Sequence, residues 1–151
     1  MSGEPLSPLE LAAWRGFLRT HSELVRVLDA DLRNEHGFGL SAYEMLGLLD
    51  DAPGSRLRPG EQAAGALLTP SGITRVCDRL VRDGLVVRES FEDDGRGSLV
   101  VLTAAGRRRV RVARATHLAG VRACFLTHLG DEEVGTLSSV FTRLSSEPSP
   151  S

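Results

Sequence analysis

Residues 70–88 read PSGITRVCDRLVRDGLVVR, and this stretch decides the fold. Thr69 followed by Pro70 predicts the start of a helix, because threonine caps a helix N-terminus and proline suits the first helical position. Apolar residues then recur at helical spacing until Arg82-Asp83-Gly84 ends the helix. The opposite face is polar, so it is free to meet a partner. The apolar residues that we expect to be buried are Ile73, Val76, Cys77 and Leu80.

The period changes from helical to extended after this helix. Residues 85–91 and 98–102 are rich in residues that favour strands, and the turn-forming EDDGRG lies between them. This pattern predicts a two-stranded hairpin. Thr103 then caps a long helix that we expect to reach about His128, and a last amphipathic helix follows the break at Gly130-Asp131.

Three more helices are predicted upstream of Thr69. A short one covers residues 59–66, and the one before it begins at Ser41, where Glu44 three residues later predicts a capping box. The first runs from about Ser7 to His36, and its apolar positions step alternately by three and four residues. That spacing is typical of a helix that packs along another helix. The members of this heptad seam are Leu11, Trp14, Leu18, His21, Val25, Leu28 and Leu32.

Two helices joined by a tight turn and followed by a hairpin predict a winged helix-turn-helix domain. The fold class is therefore mainly α with a small β-hairpin wing. We assign residues 37–102 to this lobe, residues 1–36 and 103–147 to a helical dimerisation region, and residues 148–151 to a disordered tail. A second copy of the chain is the simplest partner for the exposed seams, since two-fold homodimers are the commonest oligomers.

Composition excludes several classes of protein. The 151 residues are 41% hydrophobic and 25% charged, as in ordinary globular domains, so a disordered or fibrous chain is excluded. Neither an apolar run of membrane-spanning length nor a secretory signal is present, so we expect a cytoplasmic protein without membrane contact. All 18 basic residues are arginine, and residues 99–125 hold six arginines and no acid. Guanidinium groups suit phosphates and guanine edges.

The chain resembles the MarR family of winged-helix regulators. The resemblance is carried by SGITRVCDRLVRDGLVVR at 71–88 and by DDGRGSLVVLTAAG at 93–106. It implies an obligate homodimer that places one recognition helix in each major groove of a pseudo-palindromic double-stranded operator and reaches toward the minor grooves with its wings. It also implies a repressor that responds to a small aromatic or phenolic effector, often an anion, bound between the dimerisation helices and the DNA-binding lobe.

The residues expected to contact DNA lie on the outward face of the recognition helix and on the wing. Arg75 is long enough to fork onto guanine, and Gly72 allows close approach of the backbone. The family's wing motif falls on Asp94 and Arg96, where the carboxylate would orient the guanidinium for a narrow minor groove. The alternative is a solvated face whose arginines pair with Asp78 and Asp83. The full set of candidate DNA contacts is Ser71, Gly72, Thr74, Arg75, Arg79, Asp94 and Arg96.

Several other residues have two interpretations. The arginines that follow the second wing strand meet phosphate, form the wall of a pocket that attracts anions or, as we expect for most of them, pair with the acidic first helix. Cys77 and Cys124 are expected to be inert, because a buried thiol without a cationic neighbour is seldom reactive. Candidate effector-pocket residues, each equally explained as packing, are Trp14, Phe17, His21, Tyr43 and Met45.

Catalytic and metal motifs are not found in the sequence, so we expect no enzyme activity, no metal and no cofactor. The glycine-containing GRG at 95–97 is too short to cradle a phosphate and does not precede a helix. One rival function stays open. The acidic wing and the near-zero net charge of the lobe also fit a winged-helix dimer that has lost DNA binding and acts as a protein-interaction or ligand-binding module.

Overall fold

The computed structural model describes residues 3–58, 61, 70–90 and 97–146. Apart from residue 61, the short helix predicted over 59–66 lies outside the described residues, as do Thr69, Asp94 and Arg96. Three strands and five α-helices are described, with short 3-10 turns at Pro53–Ser55 and Leu126–His128. The elements are α1 (Pro8–His36), α2 (Leu40–Asp51), β1 (Arg56–Leu57), α3 (Pro70–Arg82), β2 (Val86–Ser90), β3 (Ser98–Leu102), α4 (Ala104–Cys124) and α5 (Asp131–Ser146).

Helix α1 begins at a capping box. The Ser7 hydroxyl accepts the Glu10 amide at 3.2 Å, and the Glu10 carboxylate accepts the Ser7 amide at 2.8 Å. These hydrogen bonds lower the pKa of Glu10. The helix ends where Gly37 adopts a left-handed conformation with φ of 76°. Both ends are thus set by the local sequence, and the predicted span is confirmed.

Helix α2 begins differently from the prediction. The capping box at Ser41 and Glu44 is wrong, because the helix starts at Leu40 and its N-cap, Gly39, makes no side-chain hydrogen bond. The Leu40 amide donates instead to the Asp29 carboxylate of α1 at 2.9 Å. A Cβ at Gly39 would lie 2.2 Å from that carboxylate, so a larger residue there would displace the Asp29 side chain from the Leu40 amide. The cap of α2 is therefore supplied by the preceding helix.

The sheet has three strands, not the two predicted. Strand β3 is central and pairs antiparallel with β2 and with the short β1, in the order β1-β3-β2. In the register, Arg56 lies opposite Val101 and Leu57 opposite Val100 on one side, and Val86 lies opposite Leu102 on the other. A hairpin alone is marginal in water, and the added strand ties its base to the end of α2 through the turn at 53–55.

Thr103 and Gly106 join the sheet to α4. The Thr103 hydroxyl accepts the Gly106 amide at 3.0 Å and lies 2.8 Å and 3.0 Å from the carbonyl oxygens of Gly84 and Leu85, to which it offers its proton. A Cβ at Gly106 would stand 2.1 Å from the Leu85 carbonyl oxygen. The predicted cap is confirmed, and α4 ends at Cys124 rather than near His128.

One apolar core underlies α2, α3, the sheet and the facing part of α4. Leu32 is the buried residue that α1 contributes, and Val110 and Ala113 come from α4. Helices α1 and α4 pack along each other, and α2 packs on both of them and on α3. In the described part of the chain, none of the helices has the length and apolar character that crossing a membrane requires. The fully buried large side chains are Phe38, Leu32, Met45, Leu46, Leu49, Leu80, Val86 and Val110.

Candidate nucleic-acid interface and the adjoining groove

Helix α3 presents the two faces that its sequence predicts. Ile73, Cys77 and Leu80 are buried in the core, and Val76 is partly buried. Four exposed residues follow the opposite face: Thr74, Arg75, Asp78 and Arg79. Ser71 belongs to the helix by its backbone, and Gly72 beside it is partly buried. The helix therefore has a polar face of the length that a major groove accepts.

Ion pairs occupy some of this face and leave Arg75 available. The Asp78 carboxylate accepts the Arg88 guanidinium at 2.6 Å, and Arg79 lies 3.9 Å from Asp83. Within the described residues, Arg75 forms no ion pair. The alternative in which the arginines of this face are neutralised by Asp78 and Asp83 thus applies to Arg79 but not to Arg75.

The prediction that most arginines of α4 pair with the acidic first helix is wrong. Three of them pair instead with Asp50 of α2. Three guanidinium groups surround this carboxylate, which is only 5% exposed: Arg111 at 3.2 Å, Arg107 at 3.7 Å and Arg114 at 3.8 Å. Arg107 also donates to the Ser55 hydroxyl. Because Asp50 is 57 to 64 positions away along the chain, no local pattern could reveal the partner. We call this group the Asp50 cluster.

Arg109 of α4 makes a different contact. Its guanidinium donates to the carbonyl oxygen of His36 at the end of α1 and lies over the Phe38 ring, 5.4 Å from the ring centre. Beside it, the His36 ring is 2.8 Å from the Thr116 hydroxyl, which donates to Glu35 at 2.8 Å. The junction between α1 and α2 is thereby fixed against α4.

A groove of about 500 Å³ lies between α2 and α4, next to the Asp50 cluster. It holds two apolar leucines, one aromatic ring and three ionisable side chains. Glu44 is partly buried, and burial raises its pKa. In the described chain Glu44 has neither a hydrogen bond nor an ion pair. The lining residues are Tyr43, Glu44, Gly47, Leu48, Asp51, Arg114 and Leu118.

Tyr43 is backed by a histidine. The two rings are 4.5 Å apart between centres, and the buried Nδ1 atom of His117 has no hydrogen-bond partner among the described residues. Burial lowers the pKa of His117, so its ring is neutral at pH 7. Burial also raises the pKa of Tyr43, against the opposing effect of the nearby Arg114 guanidinium. The wall of the groove at this point is an uncharged aromatic pair.

The structure separates the five predicted effector-pocket residues. Tyr43 lines the groove, whereas Met45, on the same helix, is fully buried in the core. Trp14, Phe17 and His21 do not line the groove; their rings follow one another along α1 at 6.2 Å spacing. Helical spacing could have predicted this split, since Tyr43 and Met45 point to different sides of α2. The pocket residues that sequence reasoning missed are Glu44, Gly47, Leu48, Asp51, Arg114 and Leu118.

Cys77 and Cys124 are not joined by a disulfide, and burial raises the pKa of Cys77 against the opposing effect of the Arg88 guanidinium, which disfavours the reactive thiolate. Among the described residues, histidine, cysteine and carboxylate side chains do not gather in threes to hold a metal ion.

Comparisons with known proteins identify the family. The sequence model of the MarR family matches residues 36–97. The HTH-type transcriptional repressor YetL of Bacillus subtilis (strain 168) is 34% identical over 114 residues, which cover 72% of this chain and 68% of YetL. AbsC, a MarR family transcriptional regulator from Streptomyces coelicolor, is 30% identical with a TM-score of 0.85, covering 94% of this chain and 95% of AbsC.

The chain belongs to the MarR family. Sco3205, another MarR family transcriptional regulator from Streptomyces coelicolor, has a structure in complex with DNA. It matches with a TM-score of 0.90 and 28% identity over 98% of this chain and 94% of its own. The present protein is accordingly a MarR-family transcriptional regulator with a winged-helix fold, and the predicted fold class is confirmed. The match at 36–97 spans α2, α3 and the base of the wing.

Proposed function

We propose that this MarR-family regulator acts as a homodimeric repressor that reads a pseudo-palindromic operator in double-stranded DNA. The observation that carries the proposal is Arg75, which is exposed on the outward face of α3 and forms no ion pair within the described residues. An exposed guanidinium without an ion pair can donate two parallel hydrogen bonds to guanine in the major groove. The structure of the relative Sco3205 in complex with DNA supports the same use of the fold.

The remaining contacts are assigned by their place around Arg75. Gly72 and Thr74 lie in the N-terminal half of α3, the half that faces base edges or phosphates, and the same role is proposed for Ser71. Arg79, one turn later, is weakly held by Asp83 and is available to phosphate. Asp94 and Arg96 of the wing are proposed to reach the flanking minor groove.

The dimer is proposed from the apolar side chains that one chain leaves uncovered. Helix α5 has no buried residue, and even its large apolar side chains Phe141 and Leu144 are 42% and 68% exposed. On α1, Trp14 and Phe17 are 53% and 47% exposed, and Phe17 meets Phe141 at 6.2 Å between ring centres. A second copy covers both helices at once, which fits residues 1–36 and 103–147 as the dimerisation region and 37–102 as the DNA-binding lobe. Two-fold symmetry then sets the half-sites about one helical turn apart.

Effector response is proposed at the groove between α2 and α4, because this groove lies where the two regions meet. We expect no catalytic activity and a cytoplasmic location. The rival function, a winged-helix dimer without DNA binding, shares the fold and the dimer and differs only in what Arg75 does.

The test compares two substitutions of one residue. Arg75→Ala removes the positive charge and the paired N–H donors (the fork) of the guanidinium. We expect this variant to bind the duplex upstream of its own gene about 5- to 150-fold more weakly. Arg75→Lys keeps the charge but not the fork, so the salt dependence stays near that of wild type while discrimination against a scrambled duplex falls. Arg143→Ala, at an exposed arginine of the proposed dimerisation region, controls for the loss of a guanidinium outside α3, once sedimentation has verified that this variant still dimerises.

The outcomes separate the two functions. If wild type prefers its upstream duplex and Arg75→Ala removes that preference, the DNA-reading role stands. Arg96→Ala tests the wing in the same assay, where a lost phosphate contact lowers the slope of log affinity against log salt by about 0.9. Unchanged affinity and salt slope in both alanine variants would instead support the interaction module.

A further inference from the structure

The groove between α2 and α4 has the size and the wall of a small-molecule site. Its volume of about 500 Å³ lies in the range that drug-sized ligands fill. Leu48 and Leu118 supply apolar surface, and Tyr43, whose ring is tilted against that of His117, supplies an aromatic face. These features suit a ligand with one aromatic ring. The ionisable residues of the groove determine which charge on that ligand is favoured.

The arginine that lines the groove already has a partner, although three guanidinium groups share the one Asp50 carboxylate. Arg114 is the arginine that lines the groove, and its guanidinium lies 3.8 Å from Asp50. Arg107 and Arg111 also pair with Asp50 but do not line the groove. An anionic ligand would therefore have to compete with a nearly buried carboxylate for the one guanidinium within reach.

The negative charge in the groove is unmatched. Glu44 and Asp51 both belong to α2, one on each side of Gly47 and Leu48, and neither has an ion pair within the described part of the chain. Glu44 is partly buried beside the aromatic wall, and its raised pKa reflects the cost of keeping its charge there. A carboxylate that is partly removed from water and lacks a partner is stabilised by a bound cation.

We propose that the groove binds a small amphipathic cation, an aromatic ring carrying a protonated amine, with the ring on Tyr43 and the ammonium between Glu44 and Asp51. This deepens the effector site of the proposed function and rests on it for any consequence to DNA binding, but the binding itself does not require DNA. The charge is opposite to that of the aromatic anions that the family resemblance suggests.

Three probes of one shape test the proposal. Tyramine, 4-(2-hydroxyethyl)phenol and 4-hydroxyphenylacetate share a phenol ring and a short side chain, and they end in a positive, a neutral and a negative group. Isothermal titration of the intact protein without DNA, at neutral pH and low salt, gives the three affinities. We expect tyramine to bind about tenfold more tightly than the neutral probe and 4-hydroxyphenylacetate to bind most weakly.

Variants of the groove identify which carboxylate causes the preference for tyramine over the neutral probe. Glu44→Gln keeps the shape of the side chain and should bring the tyramine preference toward that of the neutral probe, and adding Asp51→Asn should remove the preference. Glu132→Gln, an exposed acid at the start of α5, should leave all three affinities unchanged. Leu118→Lys places a competing ammonium in the groove and should abolish tyramine binding. Thermal unfolding of each variant verifies that it folds.

Each failure has its own meaning. Equal or tighter binding of 4-hydroxyphenylacetate, an unaltered preference in folded Glu44→Gln, or no binding of any probe at millimolar concentration overturns the cation site. The proposed function stands or falls separately with the Arg75 variants. Tyramine binding that leaves operator affinity unchanged supports the cation site and removes the effector role.

Discussion

Substitution of Gly106 by alanine tests how the winged lobe is joined to α4. The added Cβ would stand 2.1 Å from the Leu85 carbonyl oxygen and 2.7 Å from a methyl carbon of Leu102. Ordinary contact needs about 3.4 Å, so the start of α4 and the end of the α3 loop must separate by more than 1 Å. That separation also strains the Thr103 hydrogen bonds to Gly84 and Leu85.

The magnitude follows from the kind of atom in the way. Overpacking a core costs about 1–3 kcal/mol, and here the obstacle is backbone, which cannot rotate aside. We expect the free energy of unfolding to fall by about 3 kcal/mol, less a helix-propensity gain of at most about 1 kcal/mol. For a chain of this size a net loss of about 2 kcal/mol lowers the Tm by about 4–8 °C.

Two other glycines give the controls. A Cβ at Gly120 would meet a methyl carbon of Leu28 at 2.6 Å, but a side chain can move, so Gly120→Ala should cost about 1 kcal/mol or less. Gly47 has open space around it, and Gly47→Ala should stabilise α2 by about 0.5–1 kcal/mol. Thermal and urea unfolding at one protomer concentration measure all three. Wild-type stability in Gly106→Ala, or a greater loss in Gly120→Ala, would refute the steric argument.

Three further perturbations probe the helix junctions. Asp50→Ala leaves the guanidinium groups of α4 without their shared carboxylate and should cost about 2–3 kcal/mol of unfolding free energy, discounted for their exposure to water; urea unfolding measures it. Asp29 is partly buried, which disfavours its charge, but the hydrogen bonds from Arg33 and the Leu40 amide prevail and lower its pKa. Its stabilising contribution is therefore present above the ordinary pKa of about 4 and is lost as the pH falls through the lower folded-state value; Asp29→Asn should flatten the acid limb of stability against pH. Phe141→Glu buries a charge in the proposed dimer contact and should raise the dimer dissociation constant at least tenfold by analytical ultracentrifugation, and an unchanged constant would exclude α5 from that contact.

The sequence predicts elements whose signals are local. The span of α1 follows from Ser7 and Gly37, and the burial of Ile73, Cys77 and Leu80 follows from helical spacing. The cap of α2 was mispredicted because a favourable serine pattern lies one residue inside a helix that Asp29 starts from another element. A local rule loses there to a tertiary hydrogen bond.

Contacts between distant residues escape the sequence for a different reason. The six arginines of residues 99–125 announce a basic stretch, but nothing in their spacing points to Asp50 rather than to the acids of α1. In the same way, a two-residue strand such as β1 is too short to show alternation and is defined only by pairing with β3. Helical spacing supplied the outward face of the recognition helix and the family resemblance supplied the wing residues, whereas the charge of the groove required the structure.

Helix α2 and the Asp50 cluster link the groove to the recognition helix. Asp51 lines the groove, Asp50 beside it binds Arg114, and α2 carries both residues and packs on α3. A ligand that touches α2 and α4 together can therefore alter the separation of the two Arg75 side chains in a dimer, but only by its difference in affinity for the two arrangements. Turning a 1:99 equilibrium into 99:1 needs about a 10⁴-fold difference. A cation that binds one arrangement about tenfold more tightly than the other in each of two grooves would shift the equilibrium by about a hundredfold, so it would release the operator partially and in a graded manner.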